Sequence, residues 1–362
     1  MKIKQQNIKG LEKYVNVECD LTVNGNTLPI NSVTQLIDQD HSDISLEFLF
    51  KKILKDHFTS QDIPRLNGLA VIKTHADIEV TDAHGLGDDK LYQEYSKYAG
   101  EFNKDCAPIV LLHPSIFPGV SPQVDQLYQV DGMHRVVSAG VEGISQLPAY
   151  VIVRRSDLHK MLNSDTKNTI KNVRKRCTWF PSYQEIKEVG LTGQRVQFPR
   201  YPSIYDFSIL KDKIVVDFGG NTSQASVEAY YNGSKRVYSL DVQECAVETS
   251  NKIFDTLGMN SCTSHTIDFN KSSFETDVSD ICPDGWDWCI FQAIYRTKEI
   301  EDIKSNFKFI VDNTREGIMF EGNGEPTIDT DEFYYKIFEP FNFKEIIPRG
   351  LCQKRPVYII RK

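Results

Sequence analysis

The stretch Lys213-Ile-Val-Val-Asp-Phe-Gly-Gly-Asn-Thr-Ser223 governs the reading of this chain. Three consecutive β-branched residues, Ile214 to Val216, running into Asp217 predict a short buried strand, and the glycine pair after it predicts a tight turn. A helical pattern follows over 223–231, and a second strand, Arg236-Val-Tyr-Ser-Leu-Asp241, ends in another carboxylate. A helix is expected over 244–257, a third strand over 264–268 and a fourth over 288–294. Either 307–312 or 317–321 supplies the fifth, and Pro356-Val-Tyr-Ile-Ile360 forms the last. Strands alternating with helices specify an α/β, Rossmann-like, doubly wound parallel sheet, whose ligands bind beyond the C-terminal ends of the strands. At that edge the sequence offers the turn of Gly219 and Gly220, then Asp241 twenty-four residues after Asp217, then Asp268. A carboxylate closing the second strand can accept both hydrogen bonds of a ribose diol.

Outward from this segment, the whole chain of 362 residues exceeds what one hydrophobic core holds, about 250–300 residues, so two domains are expected. Hydrophobic residues at 40% and charged residues at 25% match globular usage and exclude a disordered, collagenous or disulfide-stapled chain. No apolar run approaches the roughly 18 residues of a membrane span, and the first twenty residues lack a signal-peptide core. A soluble, cytoplasmic protein without membrane contact is the expectation. Eight cysteines lie scattered with no C-x-x-C, which suggests neither a zinc ribbon nor a disulfide framework. The histidines show no ligand spacing, so no metal site is expected. A net charge of -8 argues against broad nucleic-acid binding, because phosphates need basic surface. The oligomeric state is left open.

The chain falls into three zones: 1–153, 154–206 and 207–362. The middle zone opens with eight Lys/Arg against two acids between Arg154 and Arg176, with apolar residues at three- and four-residue spacing. That pattern reads as an amphipathic helix with a basic outer face, a linker leading into a proline-broken segment. In the first zone, Asp131-Gly-Met-His-Arg135 stands between a strand-like 126–130 and a helix-like 136–141, with further strands at 108–113 and 147–153. A strand-to-helix turn presents backbone N–H groups to an anion, and His134 and Arg135 add donors for phosphate.

The second half resembles the class I S-adenosylmethionine (SAM)-dependent methyltransferases over about residues 178–362. Val215-Val-Asp-Phe-Gly-Gly-Asn-Thr-Ser223 looks like their first motif in the variant D-x-G-x-N-T-G, and 287–296 looks like the fourth-strand motif bordering the transfer site. The resemblance implies SAM as cofactor. Asp217, Gly219 and Asn221 would line its methionine end, Asp241 would hold its ribose and Asp268 would face its adenine. Ser223 departs from the family glycine, and the histidine often found after strand four is replaced by Tyr295 and Arg296. Those two residues and Glu321 are the candidate catalytic groups. Without a histidine base, an anionic or already nucleophilic acceptor is favoured, held by Arg195 and Arg200. The segment from Tyr183 to Tyr201 looks like the lid preceding the first motif in sugar- and phosphate-modifying members.

The first half resembles the ParB/sulfiredoxin-like α+β domain, whose phosphate motif reads D-G-x-H-R. The resemblance implies that Asp131, Gly132, His134 and Arg135 cradle ATP or another nucleotide with Mg2+. Met133 stands where the reductase branch carries cysteine, which disfavours reductase chemistry. The combined expectation is a methyltransferase acting on a small molecule, sugar or sugar phosphate, with a nucleotide-binding and kinase-like first domain. The rival is a nucleotide-gated, ParB-like nucleic-acid-binding protein whose methyltransferase fold is inert.

Overall fold

Apolar strand segments of this chain assemble into two separate sheets. In the computed structural model the described residues are 16–18, 27–28, 69–79, 109–113, 128–160, 162, 164–178, 183–196, 204–295, 300–325 and 329–362. Two units form, the first comprising residues up to Lys167 with Lys187–Val189 and Thr256–Gly258, the second the remainder.

In the first unit, β1 (Asn16–Glu18) and β2 (Thr27–Leu28) both pair antiparallel with the long β3 (Leu69–Glu79). β3 lies antiparallel to β6 (Gln146–Arg154) from Leu69 opposite Arg154 to Asp77 opposite Gln146. β4 (Ile109–Leu112) runs parallel to β6 and antiparallel to β5 (Tyr128–Asp131). Helix α1 (Met133–Val141) follows β5 and buries Val136 and Ala139, while β6 buries Leu147, Ala149, Val151 and Val153. After β6 a short 3-10 turn, Arg155–Lys160, turns Arg155 inward, where its Nε donates to Glu188 Oε1 at 3.1 Å. Two ions this deeply buried persist because each neutralises the other.

The basic stretch 154–176, read as one helix, divides into the 3-10 turn and helix α2 (Ser164–Arg174), in which Ile170 and Val173 are buried while Lys171, and Lys175 just beyond its end, face solvent. Arg174 is an exception, buried with its Nη2 donating to the Gln184 carbonyl at 2.8 Å.

The second unit is a seven-stranded mixed sheet. Its members in chain order are β7 (Ile214–Phe218), β8 (Arg236–Asp241), β9 (Cys262–Thr266), β10 (Trp286–Gln292), β11 (Thr314–Glu321), β12 (Glu345–Cys352) and β13 (Arg355–Arg361). The spatial order is β12-β13-β11-β10-β7-β8-β9. Strands β7 to β11 are parallel, joined through α3 (Gln224–Tyr231), α4 (Glu244–Thr256), α5 (Phe274–Ile281) and α6 (Ile303–Asn313). Helix α7 (Asp331–Phe338) leads to the β12–β13 hairpin, whose second strand inserts antiparallel beside β11. From β7 the chain moves outward to β8 and β9, then returns to lay β10 on the other side of β7. That reversal is a topological switch point, beyond whose strand ends doubly wound sheets bind ligands.

Three expectations are corrected here. Residues 307–312 lie in α6, because Phe307, Ile310 and Val311 recur at helical spacing and bury one stripe; β11 is the fifth strand. The sheet is mixed rather than parallel throughout, since the closing hairpin reverses direction at its edge. Cys177 and Cys245 form a disulfide with Cα atoms 5.4 Å apart, a pairing across 68 residues that no local spacing signals. The sheet packs on an aromatic core in which Phe218, Phe291, Phe307, Phe320, Tyr334 and Tyr358 are all nearly solvent-free. Among the described residues, no helix is long and apolar enough to cross a membrane.

Candidate functional site

The turn after β7 is shaped by backbone conformation before any side chain acts. Gly219, Asn221 and Ser223 all have positive φ, at 66°, 51° and 66°. This is the left-handed region, which costs a non-glycine residue roughly 1–2 kcal/mol and which asparagine tolerates best. At Gly220 the constraint is space: a Cβ would stand 2.2 Å from Ser239 Oγ and 3.2 Å from Asp217 Oδ2. The turn therefore lies flush against the end of β8.

Ser223 answers the question its departure from glycine raises. Its hydroxyl is fully buried and bonds to Ser239 Oγ and Ser250 Oγ, each at 2.7 Å. The side chain points into the protein, where these bonds offset the strain of its φ.

Two carboxylates hold the turn. Asp217, buried at the end of β7, accepts from Ser226 Oγ at 2.7 Å, and burial pushes its pKa up to about 7. Asp241, at the end of β8, accepts the Asn221 N–H at 2.8 Å on Oδ2 and the Gln243 N–H at 2.9 Å on Oδ1. Burial raises its pKa, while these backbone donors oppose the rise. The Val242 N–H reaches the same carboxylate, so three backbone donors fix its orientation at the end of β8. Asp268 stands two residues past β9, half-buried, and accepts the Asn270 N–H at 2.9 Å.

A segment over 183–196 lies across this edge. Gln184 Oε1 accepts from Thr222 Oγ1 at 3.2 Å and from the Gln224 N–H at 3.1 Å. Gln224 in turn donates through Nε2 to the carbonyls of Glu185 and Arg195, at 2.7 and 2.9 Å. Gln184 and Gln224 thus lock the lid-like segment to the glycine turn.

A second cluster sits at the end of β11. Glu321 is fully buried and receives Arg195 Nη2 on both carboxylate oxygens, the Tyr205 hydroxyl on Oε2 and Arg355 Nη1 on Oε1 at 3.2 Å. Arg195 Nη1 and Arg355 Nη1 also donate to the Tyr183 hydroxyl, at 2.8 and 2.6 Å. Burial and the neighbouring Glu321 hold the Tyr205 phenol far above its usual range. Arg195 and Glu321, read from sequence as an anion holder and a catalytic acid, are therefore partners of one another. Tyr205 and Arg355 complete the cluster without any sequence signal, since only the fold brings the 205 loop and the last hairpin to β11.

Tyr295 is 8% exposed, packs edge-on to Phe307 at 5.3 Å, and its phenol pKa is raised by burial. Ala293, just before it, adopts a φ of 60° and donates its N–H to the Glu321 carbonyl at 2.8 Å. Arg200 and Arg296 lie outside the described residues.

In the first unit, Asp131 ends β5, Gly132 with φ 96° begins α1, and Arg135 is half-buried in its first turn. A Cβ at Gly132 would meet Ile109 Cγ2 at 2.5 Å, so glycine is required on both counts. The side chains of Asp131 and His134 lie outside the described residues. Among the described residues no group of three or more His, Cys, Asp or Glu is arranged to hold a metal ion.

No family model matches this sequence, and no curated protein matches it. Among solved structures, similarity is found to a candidate SAM-dependent methyltransferase from Streptococcus mutans, with TM-score 0.37 and 14% identity over 48% of this chain and 51% of that one. The structure of EvdMO1 aligns with TM-score 0.40 and 12% identity over 54% of this chain and 47% of its own. Its N-terminal domain, solved in the presence of S-adenosylhomocysteine (SAH) and D-fucose, aligns with TM-score 0.39 and 10% identity over 54% of this chain and 96% of that one. The chain spans about half the length of the first of these structures, and each likeness is one of low identity.

Proposed function

We propose that the second unit is a SAM-dependent methyltransferase acting on a small molecule, a sugar or a sugar phosphate. The observation that carries this reading is Asp241. It closes β8 beside the glycine turn, oriented by the N–H groups of Asn221, Val242 and Gln243, at the strand end from which a carboxylate meets a ribose diol. The donor set fits the cofactor: Gly219 carries no side chain, and the Ser223 hydroxyl is engaged inside the protein. When bound, SAM supplies a methyl group on a sulfonium, which departs as a neutral thioether. Asp241 would grip the ribose, Asp268 would stand toward the adenine, and Asp217, Gly219 and Asn221 would shape the methionine end. In this reading Tyr295, Arg296 and Glu321 remain the candidate catalytic groups, and Arg195 and Arg200 the candidate acceptor-binding ones. Positioning the acceptor in line with the methyl is the main source of acceleration in such a transfer.

In the same reading the first unit binds nucleotide phosphates with Mg2+ at the start of α1, through Asp131, Gly132, His134 and Arg135, and phosphorylates the small molecule that the second unit methylates. The glycine demanded at 132 and the helix that starts there support an anion site. Labelled ATP supplied with metabolite extracts should transfer phosphate to a small molecule; no transfer removes the kinase role.

Calorimetric titration with SAH tests the central claim. Wild-type protein should bind SAH, and Asp241→Ala, checked for retained circular dichroism, should bind about 1–3 kcal/mol more weakly. Absence of SAH binding by the wild type overturns the assignment.

A further inference from the structure

We infer that Arg355 is the specificity residue of the second unit, holding an oxyanion of the methyl acceptor, a carboxylate or a phosphate. The inference rests on the methyltransferase reading and extends it to the substrate class.

Position is the first support. Phe218, Phe291, Phe320 and Tyr358 lie in one row across β7, β10, β11 and β13. Glu321 begins the next row, two strands from the glycine turn, on the order of 10 Å at the usual strand spacing. Arg355 opens β13 at the same edge. Tyr183 and Gln184, adjacent in sequence, span this interval: Gln184 bonds the glycine turn and Tyr183 receives Arg355. The Arg355 cluster and the glycine turn therefore stand at the same edge of the sheet, joined through Tyr183 and Gln184.

Charge is the second. Arg195 and Arg355 bring two positive charges, and Glu321 one negative. The four acceptor positions of the Glu321 carboxylate are taken by two bonds from Arg195, one from Tyr205 and one from Arg355. Arg195 is almost wholly enclosed, with 3% of its side chain exposed, against 21% for Arg355. Arg355 is thus the more accessible of the two guanidinium groups.

Donor geometry is the third. Both hydrogen bonds of Arg355 within the described residues leave from Nη1, and the guanidinium stacks on Tyr183 at 5.9 Å. Nε and Nη2 together form the two-donor edge that matches an oxyanion. Gly324 lets the backbone pack against this side chain, for a Cβ there would stand 3.3 Å from Nε and 2.7 Å from Cγ. Glu321 and Tyr183 are positioning residues in this scheme, holding the guanidinium through Nη1.

The test uses the full chain. SAH is titrated first into wild type, Arg355→Gln, Arg355→Lys and the exposed control Lys308→Gln. The SAH-loaded proteins are then titrated with inorganic phosphate and with malonate at constant ionic strength, chloride being the reference anion. Equal SAH affinity is expected throughout. Wild type and Lys308→Gln should bind at least one of the anions, which identifies phosphate or carboxylate as the preferred class. Arg355→Gln should bind it about tenfold more weakly or worse, as the loss of a charge-assisted pair requires. Arg355→Lys, which keeps the charge and loses the fork, should fall between and covers the case in which the glutamine variant does not fold. The inference is overturned if neither anion binds SAH-loaded wild type, or if both Arg355 variants bind as the wild type does. Failure of the methyltransferase reading would instead be seen in the first titration, before any anion is added.

Discussion

Replacing Glu321 with glutamine would strand the Arg195 guanidinium in the interior without its counter-charge. Only 3% of the Arg195 side chain is exposed and none of Glu321, so water cannot take the place of the carboxylate. Removing one partner of such a buried pair costs about 3–5 kcal/mol. Glutamine keeps the shape and one acceptor oxygen, which places the expected loss near the lower end, about 3 kcal/mol. Urea denaturation followed by tryptophan fluorescence reads the effect directly, because Trp286 and Trp288 lie in β10, paired with β11. A second variant separates causes. Glu321→Gln with Arg195→Met removes the stranded charge and should recover most of the loss. An unchanged urea midpoint for the single variant, or a double variant as unstable as the sum of the two singles, would refute this account of the cluster.

Other perturbations have equally definite outcomes. Asp217 has a pKa of about 7 in the folded chain against 3.8 as its ordinary value. The folded state therefore keeps a proton that the unfolded state loses between those values. This group's contribution to stability should fall as pH rises from about 4 to about 7 and level off above. Asp217→Asn, which mimics the protonated acid, should flatten that slope in pH-dependent unfolding. Gly220→Ala should cost about 1–3 kcal/mol of stability, since its Cβ would stand 2.2 Å from Ser239 Oγ, and Ser239→Ala should recover part of it. Cys177→Ser should lower stability by about 2–4 kcal/mol relative to the oxidised protein, because the disulfide closes a loop of 68 residues. Under reducing conditions the two proteins should converge, which denaturation with and without a thiol reductant will show.

Much of the second unit could be read along the chain because its signals are local. β-branched runs such as Ile214 to Val216 and a glycine pair directly after them depend only on neighbours, and β7, its turn and β8 follow from them. The assignment of 307–312 was ambiguous for the opposite reason: a short apolar run satisfies either period until one knows what it packs against. The first strand of the β12–β13 hairpin carries little local signal, because β12 is an edge strand with mostly solvent-facing residues and lacks the apolar pattern of its neighbours. Asp241 and Asp217 were visible as acids at strand ends. The inward turn of the Ser223 hydroxyl was not, since it depends on Ser239 and Ser250 from two other elements.

Sequence alone determined the alternation of strands and helices, the glycine turn and the acids that stand at its edge, because periodicity and backbone permissiveness are properties of a few adjacent residues. Tertiary structure alone decided that Arg195 neutralises Glu321, that Arg355 joins them from the last strand, and that Gln184 bonds the turn. Those pairings arise between segments up to 172 residues apart, as between Tyr183 and Arg355. Burial in a low-dielectric interior selects such partners by geometry and charge, and neither is written in the order of the residues.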